Sequence, residues 1–194
     1  GLASLEQALG ALQGEVQAEI HFQPFELNPQ MAPEGEDIAE HLGRKYGLDA
    51  TQLAQNQEVI RQRGAAVGFT FAHQDRRRIY NTFDAHRLLH WAGETGQQHA
   101  LKRALLVAYF TDGQDVSDHA VLVRVAESVG LDGEQAHAVL TGDRYAEDVR
   151  GDEQFFLRAG IHSVPAVIIN RQHLISGGQP PEVFEQALRQ LAGG

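Results

Sequence analysis

Three places in this 194-residue chain hold side chains whose type and spacing could do chemistry. The first is Ser163-Val164-Pro165-Ala166, a proline loop just ahead of a β-branched run. It is expected to open a β-hairpin and to border the functional site. The second is the pair His86 and His90, whose i, i+4 spacing sets two imidazoles on one helix face, where they could chelate a metal. The intervening residues lack the glutamate of a zinc-protease motif and no third ligand is evident, so no metal site is expected. The third is Phe25, Leu27, Asn28 and Pro29, which follow an alternating segment at what would be the ligand-binding end of a parallel strand. The same residues also suit a plain structural turn, and the pattern does not separate the two readings.

Other chemistries have no source here. The chain has no cysteine, hence no thiolate nucleophile, disulfide or cysteine metal ligand of its own. No phosphate-cradling loop, dinucleotide G-x-G-x-x-G or G-x-S-x-G elbow occurs. A net charge of -10 argues against nucleic acid as a partner. The basic run Arg76-Arg77-Arg78 is too short to reverse that and reads as an exposed loop or helix end. No apolar run is long enough to span a bilayer and no signal-peptide pattern is visible, which together favour a cytoplasmic protein away from membranes.

The elements that must position these residues follow from hydrophobic periodicity. Leu2, Leu5, Leu9 and Leu12 mark a helix ended by Gly14, and residues 15–22 alternate as a strand with Val16, Ala18, Ile20 and Phe22 on one face. Between Gly35 and Leu140 no further strand is expected, only helices. One is marked by Ile38, Leu42 and Tyr46, and a second by Leu53 and Ile60 with Thr51 as N-cap. A third carries Ala85, Leu88, Leu89 and Ala92, and a fourth covers 101–110. A fifth is capped by Ser117 and stopped by Gly130, and a sixth opens on Asp132 with Gln135. Tyr145, Val149, Phe156 and Ala159 form a seventh, stopped by Gly160. Val167-Ile168-Ile169 and His173-Leu174-Ile175 then form a hairpin around Asn170-Arg171-Gln172, and Pro181 begins a last helix.

This order, and the tail beginning GIHSVPAVIINRQHLISGGQPPEVFEQAL at Gly160, resembles the second half of a thioredoxin fold. FQPFELNPQMAPEG at 22–35, NTFDAHRLLHWA at 81–92 and GQQHALKRALLVAYFTDGQDVSDHAVLVRVAESVGLD at 96–132 are similar to the FrnE-type dithiol oxidoreductases of the DsbA family. The resemblance implies an α/β, thioredoxin-like fold with a large all-helical insertion. Its parts would be a truncated N-terminal piece over residues 1–34, the insertion over 35–143 and a C-terminal piece over 144–194. In that family a Cys-x-x-Cys motif opens the first helix after a first β-strand. Here the chain starts inside that helix, so the strand is missing, and residues ahead of Gly1 are expected to carry it with the dithiol.

The resemblance further implies a thiol–disulfide oxidoreductase without a bound cofactor, acting on disulfide- or thiol-bearing proteins or small molecules. Pro165 and Val164 would face substrate, flanked by Ser163 and His162. Phe25 and Asn28 would border the site, and Asn81 and His86 would lie where the helical insertion covers it. For Asn81 and His86, a helix cap and a packing histidine explain the residues nearly as well. A glutathione-dependent isomerase or transferase on the same architecture, with glutathione as co-substrate, is the alternative. A redox-inactive binding or chaperone-like module is a third reading, and a homodimer is left open.

Overall fold

The computed structural model describes residues 1–72 and 78–193. Helix α1 (Leu2–Ala11) buries Leu5 and Ala8, and Gly14 with φ 89° turns the chain beyond it. At the other end of the sequence, α9 (Pro181–Ala192) has proline in its first turn and buries Phe184 and Leu188. These two helices pack together and close one core over Leu12, with Val167, Ile169 and Ile175 of the hairpin laid against it. The hairpin pairs β3 (Ala166–Ile169) with β4 (His173–Ser176) in antiparallel register, Val167 opposite Ile175 and Ile169 opposite His173. Its turn holds Asn170 and Arg171 at φ 53° and 59°, the left-handed pair that matches a hairpin's twist.

A second core belongs to the helices between. Helices α4 (Phe83–Glu94), α5 (Gln98–Phe110), α6 (His119–Ser128) and α7 (Gly133–Thr141) bury Leu88, Leu101, Leu122 and Val139 together. Helix α8 (Ala146–Arg158) docks on α4 and leads back to the hairpin. The polar anchor of this block is Arg87, 4% exposed. Its guanidinium donates to the carbonyls of Val139 (2.5 Å), Gly142 (2.6 Å) and Arg144 (2.9 Å) and to Asp84 Oδ1 (2.8 Å). It therefore closes the open C-terminal end of α7, where the last carbonyls lack helical partners. Among the described residues no helix is long and apolar enough to cross a membrane.

Several expectations need correction. Residues 17–22 form no ladder; the nearest pairing is one parallel bridge between Gln13 and Val16. A strand is defined by its neighbour, and none among the described residues runs beside this segment. Val16 and Ile20 still turn onto the α1–α9 core, so the alternation sets the face correctly. The side chain of Gln98 substitutes for a rung at Phe22, accepting from its N–H (3.0 Å) and donating to its carbonyl (3.2 Å).

A two-stranded ribbon, β1 (Glu36–Asp37) with β2 (Arg78–Ile79), lies in the region read as purely helical. Two residues are too few to show a period. Arg78 is thus a strand residue, donating to the carbonyls of Glu34 and Gly35; Arg76 and Arg77 lie outside the described residues. Helix α2 (Ile38–Tyr46) buries His41 rather than Tyr46, which is 60% exposed, and Ile60 on α3 (Ala50–Ala66) is 50% exposed. Asp49, not Thr51, caps α3 in a reciprocal capping box with Gln52 (2.8 and 3.0 Å). Asp118 caps α6 while Ser117 bonds Asp115 (2.6 Å), the carboxylate being the better acceptor for the helix N–H.

Candidate functional site

Gly160, at φ 89°, ends α8 and turns the chain into the proline loop. Ile161 is buried behind it, while His162, Ser163, Val164 and Pro165 are exposed. The Val164–Pro165 bond is cis. The carbonyl of Pro165 accepts from Gly177 N–H (2.8 Å), tying the loop to the end of β4. The ring of Pro165 lies against Gly1: a Cβ added there would stand 2.9 Å from both its Cβ and Cγ. Contact this close leaves glycine as the residue that fits without a shift. Gly1 is also the N-cap of α1, with no side-chain cap and no acidic residue in the first turn. The positive dipole end of α1 therefore lies beside the loop, with no acidic side chain in its first turn.

Phe25 and His86 come together. The ring Nε2–H of His86 donates to the carbonyl of Phe25 (3.2 Å). Burial drives its pKa down to about 3, helped by the charge of Lys102. Asn28 lies apart from this contact, accepting from Lys45 (3.2 Å), and Asn81 accepts from Phe83 N–H (2.8 Å) just ahead of α4. His90 joins a different wall. With Phe22, His86, Glu94, Gln98 and Asp152 it lines a cleft of about 310 Å³ between the 21–24 segment and helices α4, α5 and α8. Residues 162–165 do not line that cleft. Among the described residues, no three metal-type ligands are grouped to hold an ion.

Two features here carry no sequence pattern. Glu26, its side chain 2% exposed, pairs with Arg150, whose Nη1 also holds Glu153 Oε2 (2.9 Å). Glu153 Oε1 accepts the backbone N–H of Glu26 (3.1 Å), and Arg150 stacks on Phe83 at 3.8 Å. Burial raises the pKa of Glu26, opposed by its bond to Arg150, and its Oε1 is a buried acceptor without a donor. Two buried carboxylates share one guanidinium, an arrangement that favours retention of a proton by Glu26. The second feature is Lys102 on α5, half-buried, with its pKa lowered by burial. Nothing in hydrophobic spacing could reveal either, because each depends on which helices meet.

The family model of the DSBA-like thioredoxin domain matches residues 3–189. A probable DsbA oxidoreductase, SCO1869, from Streptomyces coelicolor has a crystal structure that superposes with a TM-score of 0.92 at 36% identity, covering 99% of this chain and 83% of that one. A putative protein disulfide isomerase from Nitrosomonas europaea shares the fold, with a TM-score of 0.63 at 19% identity over 79% of this chain and 87% of its own. Among curated sequences, the uncharacterised protein YwbO of Bacillus subtilis is 26% identical over 192 residues, 97% of this chain and 88% of that protein.

Proposed function

This chain belongs to the DSBA-like thioredoxin domain family, and from that premise we propose that it is the scaffold and substrate-facing wall of a thiol–disulfide oxidoreductase. The reacting dithiol is then carried by a segment that enters α1 through Gly1. One observation carries the reading: the N-terminal end of α1 touches the exposed Pro165 loop, so a sulfur entering at that helix end would meet substrate held against the loop.

The chemistry follows from that apposition. The positive end of α1 favours a thiolate over a thiol. That thiolate attacks one sulfur of a substrate disulfide, forming a mixed disulfide and expelling the other sulfur as a thiolate that takes up a proton. The second cysteine, deprotonated, attacks the mixed bond, so the substrate leaves as a dithiol and the enzyme as a disulfide; a thiol reductant restores the starting state. Val164 and Pro165 supply the wall, with Ser163 and His162 at its rim.

The test is insulin reduction by the full-length protein with dithiothreitol as reductant. Turnover that disappears when either upstream cysteine is changed to serine supports the reading. An intact dithiol that reduces no disulfide overturns it.

A further inference from the structure

The chain holds two Asp-Gly steps, Asp112–Gly113 and Asp132–Gly133, and the fold treats them differently. An aspartyl carboxyl is open to attack by the backbone nitrogen of the next residue, and glycine, without a Cβ, obstructs that approach least. The attack needs a carboxyl that nothing else holds, a glycine N–H that nothing else accepts, and backbone outside a helix.

Asp132–Gly133 fails these conditions. Asp132 is the N-cap of α7, and its Oδ1 accepts from Gln135 N–H (2.8 Å). That bond fixes the carboxyl and holds the helix start. Gly133 is already the first helical residue, and a Cβ added to it would run into the carboxylate of Glu127.

Asp112–Gly113 meets them. Helix α5 ends at Phe110, and the next residues leave it in a turn. Thr111 and Asp112 N–H donate to the Val107 carbonyl (2.9 and 3.0 Å), and Gln114 N–H donates to that of Ala108 (2.8 Å). Gly113 between them stands at φ 69°, and its N–H has no acceptor among the described residues. Asp112 is exposed, and its carboxylate has no hydrogen bond or ion pair among the described residues.

We propose that Asp112–Gly113 is a site of spontaneous backbone isomerisation, while Asp132–Gly133 is protected by its helix. The nitrogen of Gly113 bonds to Cγ of the protonated Asp112 carboxyl, a C–O bond breaks, and the departing hydroxyl and the amide proton leave as water. The succinimide then takes a water back. When that water breaks the bond from the nitrogen to the original main-chain carbonyl, the chain runs on through the side-chain carbonyl as isoaspartate. Composition is unchanged, and nothing is oxidised or reduced. The main chain gains one carbon between the N–H groups of Asp112 and Gln114, which close the end of α5.

Ageing the folded full-length protein in heavy-oxygen water at neutral pH tests this. Each ring opening leaves one heavy oxygen behind, and the two steps fall in separate tryptic peptides, 104–124 and 125–144. Heavy oxygen and isoaspartate, located by electron-transfer fragmentation, should accumulate at Asp112 at least about fivefold faster than at Asp132, the ratio set by having to break one N-cap bond first. In urea, where neither step is held, the two rates should converge. Asp112→Glu, one carbon too long for the ring, should lose the label at that position. Equal labelling of the two steps in the folded protein, a ratio that persists in urea, or labelling that survives Asp112→Glu overturns the inference. The first two of these readings depend on no variant folding.

Discussion

Replacing His86 with glutamine should remove most of the acid sensitivity of the α4–α5 seam. The imidazole titrates near 6.5 when unfolded, but in the fold its pKa is pushed down to about 3 by burial and by the charge of Lys102. Between those values the unfolded chain binds a proton that the folded one refuses, so stability is full above the unfolded pKa and falls as pH drops toward 3. The slope is about 1.4 kcal/mol per pH unit, giving a loss of about 2–3 kcal/mol between about pH 6.5 and about pH 4.5. Glutamine can still donate to the Phe25 carbonyl and does not titrate. Urea unfolding followed by circular dichroism across that range should therefore show wild type and His86→Gln diverging by this amount. Glu26 titrates in both proteins and cancels in the difference. Curves that stay parallel to within about 0.5 kcal/mol would refute the claim that His86 is held neutral in this seam.

Further expectations follow from other contacts. Arg87→Met should destabilise by about 3 kcal/mol in denaturant melts, because three backbone carbonyls lose their donor at once. Glu26→Gln should flatten the pH dependence above 4.5: the raised pKa means that Glu26 contributes stability in full below that value and loses it as pH rises through the folded pKa. Comparing unfolding free energies of the two proteins at acid and mildly alkaline pH checks the sign. Phe184→Ala should cost about 3–5 kcal/mol, read from the same melts, since its fully buried ring fills the α1–α9 core. Arg171→Gly should raise the melting temperature by removing a left-handed non-glycine residue, a gain of about 0.5–1 kcal/mol.

Much of the architecture was legible because its helices bury one face at a regular interval. Leu88, Leu89 and Ala92, or Leu122, Val125, Ala126 and Val129, announce a period that no neighbour needs to supply. The hairpin was legible for a similar reason: β-branched runs flank a turn at Asn170 and Arg171. What stayed hidden depends on partners distant in the chain. Alternation over 15–22 identified an inward face but could not create the strand that would pair with it. Leu42 and Tyr46 suggested the wrong depth for α2 because His41, held by Glu36 at 2.8 Å, takes the inner position. For the site, the proline loop was readable as local sequence, whereas its contact with Gly1 joins residues from opposite ends of the chain. The Glu26–Arg150–Glu153 cluster and the half-buried Lys102 are products of helix packing, so composition and spacing leave no trace of them.

The two cores also differ in how far apart along the chain their members lie, and this orders their assembly. Residues 85–140 collapse from helices that are sequence neighbours, so that block can form while contacts remain short-range and loop closure is cheap. The α1–α9 core must wait for both ends, as the Glu15–Arg189 ion pair across 174 residues illustrates. On a ribosome the helical block would already be shaped when Phe184 and Leu188 emerge. The hairpin and Pro165 follow the helical block in the chain, so the surface against Gly1 is completed after that block. A chain stalled before α9 would carry a folded helical block without the Phe184 and Leu188 half of the first core.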